Sequence, residues 1–314
     1  MRSSLVRVAC VLTLVAATAG TPTGQTSSVM SGIGPTPQHL GPLTFGPDAV
    51  LFAADAQEVF IYALDLSQQV VGGVPGTRNV PAVDNRIAAL LGTDASNLII
   101  TDLAVHPRTR NAFISVMRGQ GAGATPVLLR VDGAGELTVV PLDRVPYSRV
   151  KLPNPPDETT ALVLQGGREI PVPNYPSNQE TEGMLSTFSV QTITDMAYTD
   201  GRLYVSGLSN EEFASKLRSI AYPFKDVDAG TSAEIWHAAH NQFETRSPVY
   251  TFVPYDIDDE PHLIASYLCT PLVKFPISSL APGADVRGVT IAELGNGNRP
   301  LDMVVYQKGG RDFL

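Results

Sequence analysis

Asp195-Met-Ala-Tyr-Thr-Asp-Gly-Arg-Leu-Tyr-Val-Ser206 decides the fold. An apolar stretch runs into the pair Asp200-Gly201, and a second apolar stretch leaves it. Two strands separated by Asp-Gly form a tight antiparallel hairpin, because both central residues of such a turn need positive φ. The same grammar recurs three times. Leu43-Thr-Phe-Gly-Pro-Asp-Ala-Val-Leu-Phe-Ala-Ala-Asp55 turns through Gly46-Pro47, and Asp102-Leu-Ala-Val-His-Pro-Arg-Thr-Arg-Asn-Ala-Phe-Ile-Ser115 turns at His106-Pro107. Asp302-Met-Val-Val-Tyr-Gln-Lys-Gly-Gly-Arg-Asp-Phe-Leu314 turns at Gly309-Gly310. Recurring strand–turn–strand units bury their faces against one another, which is the architecture of a β-propeller.

The rest of the chain is consistent with that reading. Its 314 residues are 43% hydrophobic, enough for a large β domain, with 27 Gly and 25 Pro to make turns. A first blade is expected from Leu40 to Leu66. A second is expected from Ile99 to Leu142, with a hairpin turn at Asp132-Gly-Ala-Gly135. Arg86 to Leu91 is expected as a helical turn stopped by Gly92. A proline-rich insertion covers residues 143–192, with a hairpin formed by Leu162-Val-Leu164 and Glu169-Ile-Pro-Val172. One short inserted helix is expected after Ser209-Asn-Glu-Glu212, whose spacing is that of a capping box, with Phe213 and Leu217 on one face. Strands resume at Ala233–His237, Val249–Val253, His262–Phe275 and Val286–Glu293. The fold class is therefore all-β, a propeller of four-stranded blades. The final hairpin is read as half a blade, so the propeller is expected to be truncated at its C-terminus.

Residues 1–20 carry the marks of a secretory signal: Arg2 and Arg7, then an apolar run from Val8 to Ala17, then small residues at Ala17-Thr-Ala19. A flexible Ser/Thr/Gly/Pro leader is expected over 21–38 and the propeller domain over 39–314. The protein is thus expected to be exported, periplasmic or extracellular, with no membrane span after cleavage. Its net charge of −9 repels phosphate backbones, which argues against nucleic acid as a partner. Cleavage would leave Cys269 as the one cysteine, so no internal disulfide is expected; its apolar neighbours point to a buried thiol.

Two groups of side chains invite a chemical reading. Asp102, Asp195 and Asp302 occupy the same place in three repeats, at the entrance to the innermost strands. Each carboxylate either fixes a local turn through backbone amides or joins a ring that binds a cation at the channel mouth. Asn298 and Arg299, in the polar loop before Asp302, belong to the same mouth. The second group is Trp236-His237-Ala-Ala-His240, where an H-x-x-H spacing with Glu244 or Cys269 offers ligands for a divalent metal ion if the segment turns. On a straight strand, residues three apart point to opposite faces. No nucleophile elbow, phosphate loop or haem-attachment pattern is present.

On Phe45-Gly-Pro-Asp-Ala-Val-Leu-Phe-Ala-Ala-Asp55 and Asp102-Leu-Ala-Val-His-Pro107, the chain resembles secreted bacterial β-propellers of the NHL/YVTN-repeat kind. The resemblance covers roughly residues 40–314. Leu208-Ser-Asn-Glu-Glu-Phe213 and Cys269-Thr-Pro-Leu-Val273 are similar to segments of uncharacterised exported proteins. It implies a propeller face that holds a partner protein or a small-molecule ligand, as a binding or scaffold protein. Likeness to gluconolactonase-type propellers implies an alternative, a metal-dependent hydrolase with Asp102, Asp195, Asp302 and Asn298 around a divalent ion. The glutamate–asparagine–aspartate set of those enzymes has no secure counterpart here. A third alternative is a redox partner with a metal on His237, His240 and Cys269.

Overall fold

The computed structural model describes residues 29–68, 79–153, 155, 161–164, 168–171, 192–209, 215–225, 227–237, 242–243, 248–267, 271–295, 298 and 300–314. The expected signal, Cys269, Arg299, His240 and Glu244 lie outside them.

Along the chain, strand β1 (Met30–Ile33) precedes β2 (Leu43–Phe45), β3 (Val50–Asp55) and β4 (Phe60–Asp65). Helix α1 (Val83–Leu91) leads to β5 (Leu98–Val105), β6 (Ala112–Arg118), β7 (Thr125–Val131) and β8 (Leu137–Val139). Strand β9 (Pro146–Lys151) and the hairpin β10 (Ala161–Leu164) and β11 (Arg168–Pro171) follow. Next come β12 (Asp195–Thr199), β13 (Arg202–Leu208), β14 (Ser215–Ala221), β15 (Thr231–Glu234) and the short pair β16 (Trp236–His237) and β17 (Gln242–Phe243). The last third contains β18 (Val249–Ile257), β19 (Glu260–Tyr267), β20 (Pro271–Pro276), β21 (Asp285–Arg287) and β22 (Val289–Glu293). The hairpin β23 (Tyr306–Lys308) and β24 (Arg311–Phe313) ends it.

These strands form four blades of a β-propeller. The first is β2-β3-β4-β9 with β1 added outside β9, and the second is β5-β6-β7-β8. The third is β12-β13-β14-β15, extended by a parallel β21, and the fourth is β18-β19-β20-β22. The first blade takes its outer strand β9 from beyond the second blade, so the chain leaves the first sheet, builds a neighbour and returns. Met30–Ile33, within the stretch expected as a flexible leader, pairs with β9 instead. Anchorage follows at Asp55, a fully buried carboxylate that accepts the amides of Gln38, Gln57 and Glu58.

Innermost strands β5, β2, β12 and β18 contact one another in that order. The spatial order of blades is therefore second, first, third, fourth. Three apolar seams hold the arc together. Tyr62, Leu64 and Leu51 meet Phe113 and Leu128 between the first and second blades. Phe52, Ile61 and Val150 meet Met196, Val205 and Phe224 between the first and third. Tyr204 and Leu217 meet Phe252, Leu263 and Phe275 between the third and fourth. The other face of the second blade is covered by α1, whose Ile87 packs on Ile114, Val116 and Leu129.

Among the described residues the α-helix is α1, closed by Gly92 in the left-handed conformation at φ 64°. The helix expected from Ser209 is corrected. Ser215–Ala221 is a strand between β13 and β15, and Ser209's neighbours 210–214 lie outside the described residues. Leu217 faces the fourth blade and Ile220 the first, which a strand achieves with a three-residue separation.

Candidate functional site: the central channel

The propeller axis is a cavity of about 330 Å3 bounded by β2, β5, β12, β18 and the segment 302–304. Asp102, Asp195 and Asp302 all line it, among apolar side chains such as Phe45, Leu103, Met196 and Val304. The three carboxylates expected together are therefore brought to one channel. Of the described residues lining it, none is basic.

The carboxylates accept backbone amides, as one of the two sequence readings expects, but they reach beyond a local turn. Asp102 Oδ1 accepts its own following amide, Leu103 N–H, at 2.7 Å, and Oδ2 accepts Leu43 N–H from the first blade at 2.6 Å. Asp195 repeats the device across the next pair of blades. Its Oδ1 takes Met196 N–H at 2.6 Å, and Oδ2 takes both Phe252 N–H and the Thr251 hydroxyl of the fourth blade at 2.8 Å. These aspartates are not local turn caps; each staples the inner strand of one blade to that of its neighbour.

The residue before each aspartate extends the staple. Thr101 donates to Leu40 O at 2.7 Å and contacts Ser115, whose hydroxyl donates to Gly41 O. Thr194 donates to Val249 O at 2.7 Å and lies 2.9 Å from Ser206 Oγ. Ser115 and Ser206 stand directly opposite Asp102 and Asp195 on the second strands. Sequence reasoning passed over these four hydroxyl residues. The signal was present, since Thr-Asp-apolar-Ala occurs at 101–104 and again at 194–197.

Asp302 is a partial version. Its Oδ1 accepts Met303 N–H at 2.7 Å, it is exposed, and Leu301 stands where the other two have threonine. Asn298 donates to Leu294 O at 2.6 Å, so its amide closes its own loop. Burial pushes Asp102 up to about 7, with the Asp302 charge adding to it. Burial pushes Asp195 up to about 8, with Asp102 and Asp302 both contributing.

No protein-family model matches the chain, and no curated protein matches it. Among solved structures, a streptogramin B lyase structure shares 10% sequence identity, over 83% of this chain and 74% of its own, with a TM-score of 0.27. No residue role is carried over from it.

The fit to a divalent metal is poor. Every oxygen of Asp102 and Asp195 already accepts at least one hydrogen bond, and among the described residues no three His, Cys, Asp or Glu side chains are grouped to hold an ion. The arrangement serves a mechanical purpose: it fixes the inner strands and leaves an apolar-walled channel lined by three acidic side chains.

Proposed function

We propose that this chain is an exported, non-catalytic binding propeller of the NHL/YVTN kind, whose face holds a partner protein or a small ligand. The observation that carries the reading is the use of Asp102 and Asp195. A carboxylate whose two oxygens are each drawn onto backbone amides of two blades is committed to that joint, and coordinating an ion or activating water there would compete with the staple. The hydrolase reading needs those same oxygens.

Elemental analysis of the signal-cleaved protein, purified without an affinity metal, separates the two. The binding reading expects no stoichiometric metal and equal, background hydrolysis of simple lactones by the wild type and Asp302→Ala in added calcium. A stoichiometric ion lost on Asp302→Ala would overturn it. Export is tested by fractionating cells that express the chain from Met1, with N-terminal sequencing of the product. An intact Met1 in the cytoplasmic fraction would sink that part of the proposal.

A further inference from the structure

The turn that joins β5 to β6, residues 106–111, lies at the rim of the channel, where Val105 and Pro107 line the cavity. Its backbone bonds run from His106 N–H to Asn111 O and from Arg110 N–H to His106 O, both 2.9 Å. We propose that this turn is an acid-released clasp, held shut by a neutral His106 and opened when that ring becomes an imidazolium. The clasp governs access to the channel, and in that purpose it rests on the binding reading; the opening itself does not.

The geometry fixes the proton. His106 is 1% exposed, and its Nδ1 lies 3.2 Å from Arg108 N and 3.1 Å from Thr109 N. A backbone N–H only donates, so Nδ1 accepts both bonds and the neutral ring carries its hydrogen on Nε2. Nε2 is buried and has no hydrogen-bond partner among the described residues. The ring meets that of Phe45 edge-to-face, with centroids 4.9 Å apart. Phe45 in turn lines the channel and meets Phe113 of β6 at 5.3 Å. An imidazolium has no acceptor, so protonation breaks both amide bonds at once and sets a charge against apolar rings.

Around the ring, β2 presents the uncharged Phe45 and β6 the uncharged Phe113 behind it, while Arg108 on its own turn adds a charge of like sign. Burial, and then Arg108, hold His106 below its ordinary 6.5. Asp102, on the same strand β5, is pushed up to about 7 and works in the opposite sense, since the folded protein holds that proton more tightly than the unfolded chain. Acid therefore strengthens the staple while it weakens the clasp. The turn also keeps Arg110 in the left-handed region at φ 60°, a constraint that opening relieves. Below pH ~6.5 the opened turn binds the proton that the closed one refuses, so opening rises about tenfold per unit of pH until the closed form titrates as well.

Residue-resolved hydrogen exchange of the signal-cleaved chain, without ligand, from about pH 7.5 to 5 tests this. Protection of the Arg108 and Thr109 amides, corrected for the pH dependence of free exchange, should fall about tenfold between pH ~6.5 and ~5.5, while that of β13 and β14 holds. Long-range nitrogen–proton spectra at neutral pH should show His106 as the Nε2–H tautomer, and the Phe45 ring signals should shift with the same midpoint as the amides. His106→Asn supplies an acceptor oxygen that does not titrate, so it should abolish the fall. The proposal is overturned by an Nδ1–H tautomer, by protection that does not change with pH, by a fall that His106→Asn retains, or by a Phe45 ring that stays in place while the amides open. No ligand enters these measurements, so failure of the binding reading would leave every one of them unchanged.

Discussion

Substituting Asp195 by Asn tests whether the staple works as an ionisable group under strain. In the folded protein Asp195 is pushed up to about 8, chiefly by burial, from an unfolded value near 4. Below pH ~4 both states hold the proton and the shift has no effect on stability. Between pH ~4 and ~8 the unfolded chain releases the proton while the folded one keeps it, so stability falls as pH rises, by about 1.4 kcal/mol per unit. Above pH ~8 the loss is complete. From about pH 5.5 to 8 this gives ~3 kcal/mol, and the side chain's partial exposure reduces it to ~2. For a domain of this size that corresponds to roughly 4–6 °C in melting temperature. Asparagine keeps one oxygen to accept Phe252 N–H and does not titrate, so Asp195→Asn should lose that pH-dependent slope. The assay is thermal unfolding of the signal-cleaved wild type and variant, side by side, from about pH 5.5 to 8.5. Parallel curves, differing by a constant offset, would refute the account.

Three further substitutions probe the packing. Phe52 is fully buried at the seam of the first and third blades, with the rings of Tyr198, Tyr222 and Phe224 within 5.9 Å of its own. Phe52→Ala should cost about 3–5 kcal/mol in chemical denaturation, and a cost under about 1 kcal/mol would mean this seam is not closed as described. Thr194→Val removes the hydroxyl donor to Val249 O and should cost about 1 kcal/mol; the check is the midpoint shift in urea. At Gly288 a methyl group would meet Val273 and lie 2.6 Å from the Phe275 ring. Gly288→Ala should therefore destabilise the fourth blade by about 1–3 kcal/mol, seen as faster amide exchange in β20 and β22 than in β6 and β7.

The hairpins were legible because their turn residues have a chemical reason to be there. Asp200 and Gly201 adopt φ 50° and 77°, and Gly309 and Gly310 φ 60° and 72°, which is the left-handed backbone their sequence announces. The turn between β18 and β19 was not read, since it places Asp258 and Asp259 at φ 52° and 62° without a glycine. The misplaced helix has a different cause. Phe213 and Leu217 stand four apart, a separation that puts two residues on one face of a helix and equally on one face of a strand. Capping-box spacing then tipped a balance that strand pairing decides. Ser215–Ala221 is hydrogen-bonded along its length to β13, and local propensity does not report a partner that far away.

The staples show why the site was only half legible. Spacing identified Asp102, Asp195 and Asp302 as equivalent, and the channel unites them. What each carboxylate binds depends on which blade lies beside it, and the chain order of the blades is not their spatial order. Asp102 belongs to the second blade and reaches back to Leu43 of the first; Asp195 belongs to the third and reaches forward to the fourth. The receiving strands have Pro42 and Thr251 where the donors have aspartate, so their next amides, Leu43 and Phe252, are free of a carboxylate of their own. In a stapling blade that amide is already occupied by its own Oδ1. A blade can thus give a staple or receive one, and the two stapled seams join blades of opposite kind. The first and third blades meet as receiver and giver facing the wrong way, and Phe52, Ile61 and Met196 pack their seam in place of a carboxylate. The repeating unit of this propeller is accordingly a pair of blades, a period hidden in the sequence because the first pair is written in reverse.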